Sequence, residues 1–110
     1  MEYRLQMNRF KSVVTRKSDG EEVYNEIRTH LNSGDIIVVD FSGIDTMTTF
    51  FAKQVFGKLY VEMGAERFNE LLKFEKRNMS DDVELVLKIG ISGAVSSLGL
   101  TPGGPIGLYA

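Results

Sequence analysis

The chain has no cysteine and no tryptophan, and it has one histidine and two prolines among 110 residues. Without cysteine there is no disulfide framework, no thiolate nucleophile and no sulfur ligand for a metal, a composition that suits a reducing compartment. The lone histidine, His30, cannot form a His-x-x-x-His pair, and no Asp-x-Asp-x-Asp calcium loop occurs, so neither a metal nor a cofactor is expected. His30 falls on the polar side of a predicted helix and reads as a solvated surface residue rather than a general base. An excess of one charge is lacking too: 13 Lys and Arg stand against 15 Asp and Glu, a net charge of -2. No field of that size draws in nucleic acid or anionic lipid. No apolar run approaches the roughly 18 residues of a membrane span, and Met1-Glu2-Tyr3-Arg4 does not open a signal peptide. A cytoplasmic setting without nucleic-acid or membrane contact is the expectation.

With 43% hydrophobic and 25% charged residues, the composition is that of a folded globular protein. Its length suits one domain with one core. Tyr3, Leu5 and Met7 alternate with polar neighbours and Phe10 to Val14 form a second β-prone run, which predicts an opening strand or hairpin. Ser18-Asp19-Gly20-Glu21 has capping-box spacing and starts a helix. Val23 or Tyr24, Ile27 and Leu31 recur along it until Asn32-Ser33-Gly34 ends the periodicity. Ile36 to Phe41 is a continuous apolar run broken by one acid, the pattern of a central strand covered on both faces.

After the loop Ser42 to Thr46, an amphipathic segment from about Thr48 to Met63 places Phe51, Ala52, Val55, Phe56, Leu59 and Met63 on one side and stops at Gly64. Gly57 inside it costs about 1 kcal/mol relative to alanine, which suggests close packing against a neighbour or simple tolerance. Leu72 and Phe74 fit a short strand. Ser80 caps a third helix with Asp81 and Asp82 in its first turn and Val83, Val86, Leu87, Ile91, Ala94 and Leu98 on its apolar side. The order β(β)-α-β-α-β-α specifies an α/β sandwich with a small mixed β-sheet over residues 1–98. Residues 99–110 are expected to form a Gly- and Pro-containing tail with apolar Ile106, Leu108 and Tyr109, which reads as a flexible end, as a segment lying over its own domain, or as an apolar peptide that docks on a partner or a second copy.

Chemistry is hard to place on this chain. Gly99 to Gly104 lacks the Lys-Ser/Thr end of a phosphate loop and no helix starts after it. Asp40 and Asp45, flanking the loop after the central strand, read as carboxylates that satisfy loop amides. The feature that remains is the turn Asp45-Thr46-Met47-Thr48-Thr49, where hydroxyls meet helix N-terminal amides at the carboxyl end of a strand, a usual place for ligands and partners in open α/β sheets. Thr46 or Thr48 can cap the helix without losing a second role. One of the adjacent Phe50 and Phe51 must turn from the core and is a candidate interface residue.

Those residues carry a resemblance. A hydrophobic strand ending in Asp40-Phe41, then Ser42-Gly43-Ile44, a Thr-rich turn, Phe51-Ala52 opening a helix and Gly64 closing it resemble the STAS-like family known as DUF4325. Weaker correspondence extends to Thr15-Arg16, to the strand Phe74 to Asn78, and to Val83. The resemblance implies a STAS-like sandwich related to anti-sigma factor antagonists. Those bind a kinase-type anti-sigma partner and are switched by phosphorylation of a hydroxyl residue at the start of this same helix. In those proteins an Asp-Ser-Ser-Gly turn carries the phosphoacceptor. Setting the strands side by side puts Thr48 where the Asp would be, Thr49 at the acceptor and Phe50-Phe51 at the following Ser-Gly. The acid and the glycine are missing, so the resemblance supports a partner surface more than a phospho-switch.

The expectation is therefore a non-catalytic regulatory module without metal or cofactor, contacting a protein partner, a kinase-like ATPase or anti-sigma factor, through Asp45, Thr46, Thr48, Thr49, Phe50 and Lys53. Thr49, and after it Thr48, is the candidate phosphoacceptor. The alternatives are a structural role as a homodimer joined by the tail or the Phe-bearing helix, and a small-ligand-responsive accessory domain.

Overall fold

The computed structural model describes residues 1–10, 13–14, 16–97 and 108–109. In chain order the elements are β1 (Glu2–Gln6), a 3-10 turn (Met7–Arg9), β2 (Val13–Val14), α1 (Lys17–Asn32), β3 (Ile36–Asp40) and β4 (Thr46–Met47). There follow α2 (Thr49–Ala52), a π-turn (Lys53–Gly57), α3 (Lys58–Met63), α4 (Ala65–Leu71), β5 (Leu72–Glu75), α5 (Asp81–Ser97) and β6 (Leu108–Tyr109). Strands β1, β3, β5 and β6 lie side by side in that order, and β2 pairs with β4 in a separate two-stranded ribbon.

The architecture is the expected STAS-like α/β fold, with one difference in the sheet. Every described strand pair is parallel, whereas a mixed sheet was predicted. The reason lies in the connections: α1 separates β1 from β3, and the helices α2 to α4 separate β3 from β5. A crossover of that length returns the chain to the same edge running the same way. The opening run does not fold as a hairpin either. The turn Met7–Arg9 buries Met7 and ends β1, and the second β-prone run contributes Val13–Val14, which pair with Thr46–Met47.

In register, Tyr3, Ile37 and Leu72 form one row and Leu5, Val39 and Phe74 the next, on one face of the sheet. All but Tyr3 are fully buried, and they join Val23 and Ile27 of α1, Phe51, Val55, Phe56 and Leu59 of the central helix, and Val83, Leu87 and Ile91 of α5 in one core. Aromatic edges meet at its centre, with Phe56 to Phe74 at 5.2 Å, Phe41 to Phe56 at 5.9 Å and Phe68 to Phe74 at 5.9 Å. Such pairs contribute roughly 0.5–1.5 kcal/mol each beyond their buried area.

Two boundaries differ from the sequence expectation. α1 begins at Lys17 with Arg16 as its N-cap residue and no side-chain cap, so Ser18 and Glu21 lie inside the helix rather than forming a capping box. Gly20 sits in the first turn against Gln54, and a Cβ there would come within 2.6 Å of the Gln54 Oε1. The chain does not run from Gly64 straight to a strand, because α4 intervenes. Gly64, at φ 84°, turns the chain between α3 and α4, and Phe68 carries α4 into the core. Ser80 caps α5 as expected, its Oγ accepting from the Val83 amide at 3.1 Å. Leu98 and residues 99–107 lie outside the described residues, and Leu108–Tyr109 run parallel to Phe74–Glu75 at the sheet edge.

The central helix approaches α5 more closely than side chains normally allow. A Cβ on Gly57 would lie 2.6 Å from the Ala94 Cβ, and one on Gly90 would lie 2.5 Å from the Ala52 Cβ and 2.9 Å from the Lys53 amide nitrogen. Gly57 is thus a packing glycine, and its partner is α5. The π-turn begins where Gly90 seats. π-Turns of this kind are inserted where packing distorts a helix, and they recur at functional sites.

Candidate functional site

The site is built from the carboxyl end of β3 outward. Asp40 ends the strand, and its Oδ1 accepts from the Ser42 amide at 2.9 Å and from the Ser42 Oγ at 2.6 Å. Its Oδ2 accepts from Arg4 Nη1 at 3.0 Å, and the same Arg4 nitrogen donates to Glu75, so one guanidinium ties the ends of β1, β3 and β5 together. Burial pushes the Asp40 carboxyl up, but the bonds from Ser42 and Arg4 outweigh it and hold it below the ordinary carboxylate range. Asp40 is therefore an ionised brace of the loop and no poised acid. Gly43, at φ 82°, lets the loop turn back, with the Ile44 amide donating to the Phe41 carbonyl at 3.0 Å.

The six residues expected to form the contact surface divide into two groups. Asp45 is exposed, but its carbonyl accepts from Ser80 Oγ at 2.8 Å, which fastens the turn to the head of α5. Thr46 is half-buried in β4, and Thr48 is the N-cap of α2, its Oγ1 accepting from the Phe51 amide at 3.1 Å. These residues hold the turn. Thr49, Phe50 and Lys53 face outward, with Phe50 58% exposed while Phe51 is fully buried. The adjacent pair divides between core and surface as helix geometry requires.

The sequence reading missed what lies on the neighbouring helix. Leu85 and Ile89 of α5 are 57% and 48% exposed. They lie one turn apart, off the buried Val83, Leu87 and Ile91 face, and the seam between Ala52 and Gly90 joins their helix to that of Phe50. The signal was present, since apolar residues at 85 and 89 are surplus to the core stripe. Asp45, Asp81 and Asp82 lie exposed at the head of the paired helices, and Lys53 and Lys88 lie exposed further along.

His30 is half-buried, stacks on Tyr3 at 3.5 Å and places Nδ1 3.1 Å from Asp35. Its role is to pack α1 on β1, a tighter setting than the solvated one expected. A shallow cleft of about 190 Å³ is lined by Glu21, Tyr24, Asn25, Gln54 and Lys58. That is below the roughly 300 Å³ at which small-molecule pockets begin. Lys58 Nζ already sits 4.3 Å from the centre of the Tyr24 ring beside it. Among the described residues no three His, Cys, Asp or Glu side chains converge as metal ligands, and no helix is long and apolar enough to cross a membrane.

The sequence model of a family described as a STAS-like domain of unknown function (DUF4325) matches residues 19–84. The chain belongs to that family. The matched stretch runs from the first turn of α1 to the first turn of α5, so the DUF4325 region holds β3, the Thr-rich turn, the π-turn and β5, while β1 and most of α5 flank it. Comparison with curated proteins and with solved structures finds no match. In this DUF4325 domain the turn and the central helix thus form the middle of the family region, and Leu85 and Ile89 lie just beyond it.

Proposed function

We propose that this DUF4325 domain is a non-catalytic regulatory module that binds a protein partner through the head of α2 and the adjoining face of α5. The observation that carries the reading is Phe50, a large apolar side chain left 58% exposed at the first turn of a helix whose other apolar residues are buried. Leu85 and Ile89 of α5, the helix packed against it, are also large apolar side chains left exposed. Aromatic residues on such patches are the usual anchors of protein interfaces. A kinase-like ATPase or an anti-sigma factor is the class of partner that the relationship to STAS domains suggests.

Within this reading Thr49 is the phosphoacceptor candidate ahead of Thr48, because the Thr48 hydroxyl is already bonded to the Phe51 amide and Thr49 is exposed. A phosphate on Thr49 would add about -1.5 to -2 charges beside Phe50 and repel an apolar or acidic partner. The test is to identify the partner by affinity purification from the native host and then titrate it, purified, against variants. Phe50→Ala is expected to weaken binding about thirtyfold, the loss typical of an anchor residue worth about 2 kcal/mol. An unchanged affinity would refute the assignment of the surface. Intact-mass measurement of the protein from that host tests Thr49.

A further inference from the structure

A second interaction surface lies on the outer edge of β1, the end strand in the order β1-β3-β5-β6. The Ile36 amide donates to the Met1 carbonyl at 2.7 Å, and Glu2 stands opposite Ile36 in the parallel register. That sets the phase of the ladder. The main-chain groups of Tyr3 and Leu5 point at β3, and those of Glu2, Arg4 and Gln6 point away from it. Among the described residues these three have no main-chain partner on the outer side. The strand is five residues long, without proline and with an unbroken register, so its edge is a template for another strand. We propose that β1 pairs with β1 of a second copy of this chain, antiparallel and across a two-fold axis at Tyr3.

Phase and charge together select this occupant. Antiparallel pairing bonds outward-facing residues to one another, so Glu2, Arg4 and Gln6 of one copy meet only Glu2, Arg4 and Gln6 of the other. A two-fold axis at Glu2 or at Arg4 opposes that residue to itself, like charge against like, and an axis at Leu5 sets Arg4 against Gln6. An axis at Tyr3 sets Glu2 opposite Arg4 twice on one face, with Tyr3 opposite Tyr3 and Met1 opposite Leu5 on the other face. The stretch Glu2-Tyr3-Arg4 is therefore complementary to itself. Both bonds that Arg4 makes, to Asp40 and to Glu75, come from Nη1, and its Nε and Nη2 have no partner among the described residues. Glu2 is exposed and has no side-chain partner among them either. The brace at Asp40 and the pair with Glu2 of the second copy thus use different donors. The contact is a closed two-fold one, the commonest symmetry of soluble oligomers, and it is independent of Phe50 and of the α2 reading.

The experiment is sedimentation equilibrium and NMR of the full, untagged chain from about 10 μM to about 1 mM, because a short edge contact lies at the weak end of interfaces. A monomer–dimer equilibrium is expected in that range, with concentration-dependent shifts centred on the Glu2 and Arg4 amides. Glu2→Arg sets arginine against Arg4 in both pairs and is expected to weaken the dimer about tenfold. Glu2→Pro removes an outward amide that β3 does not use and is expected to weaken it too. A chain that stays monomeric at 1 mM overturns the proposal, as do concentration-dependent shifts confined to α2 and α5. So does a Glu2→Arg variant that keeps the parent shifts of Ile37 and Val39 and associates as tightly as the parent, since every other register leaves position 2 without an opposing cation.

Discussion

Replacing Gly90 by alanine should destabilise the domain, although the same change three residues later should stabilise it. Both glycines lie inside α5, where an alanine gains about 1 kcal/mol of helix propensity. At Gly93 a new Cβ meets nothing within 4 Å, so that gain is kept. At Gly90 it would lie 2.5 Å from the Ala52 Cβ, 2.9 Å from the Lys53 amide nitrogen and 3.0 Å from the Ala52 carbonyl carbon. Two of those three atoms are backbone and cannot swing away, so α5 must lift off the π-turn. Overpacking costs typically about 1–3 kcal/mol, and backbone contact puts this site toward the upper end. The net loss expected for Gly90→Ala is about 1–2 kcal/mol.

Thermal unfolding followed by circular dichroism reads the difference. With an unfolding entropy of roughly 2.1 cal/mol/K per residue, a domain of this size shifts by about 4 °C per kcal/mol. Gly90→Ala should therefore lower Tm by about 4–9 °C, and Gly93→Ala should raise it by up to about 4 °C. If both variants rise together, the helices are not in the close contact described, and the explanation of the π-turn by that contact falls with it.

Thr48→Ala removes the cap of α2 and should cost about 1 kcal/mol in urea unfolding, with Thr48→Ser recovering most of it. Thr49→Ala should stay within about 0.5 kcal/mol of the parent, since Thr49 is exposed, and a comparable loss at both positions would contradict the division of roles. For Asp40, the folded-state pKa is lowered, so the ionised brace contributes stability that is present above the unfolded value and lost as pH falls through the folded one. The window is below about pH 4. Ser42→Ala, which removes a donor to the carboxylate, should flatten that acid limb, and an acid limb unchanged in the variant would disprove the brace.

The fold was legible where one residue type answered to one force. Ile36 to Phe41 reads as the central strand and Ser80 followed by Asp81 and Asp82 as the head of a helix, and the structure has β3 over Ile36–Asp40 and α5 capped by Ser80. What the sequence hid were decisions made by contact. Ser18 and Glu21 have capping-box spacing, but the helix already starts at Lys17 and Gly20 packs on Gln54 in its first turn. α4 was invisible because Gly64 carries the signal of an ending, and nothing in Ala65–Leu71 has a cap to announce a new start. Parallel pairing was implied by the helices between the strands, but the weak Phe10 to Val14 run suggested a hairpin that the buried turn at Met7 prevents.

The site was legible as an address and not as a set of roles. A hydroxyl-rich turn predicts that some hydroxyls cap and others remain available, and neither composition nor spacing decides which. The decision follows from backbone geometry: Thr48 has extended φ and ψ of -74° and 151°, which aims its Oγ1 at the Phe51 amide, and the residue after it then starts the helix facing out. Phe50 and Phe51 are sorted by the same event, because fixing the cap fixes the helical phase. The cap at Thr48 and the burial of Phe51 in the core are thus consistent with one helical phase, which leaves Thr49 and Phe50 exposed. It follows that the cap and Phe50 are coupled through the first turn of α2, so on the proposed reading loss of the cap at Thr48 should also weaken binding through Phe50.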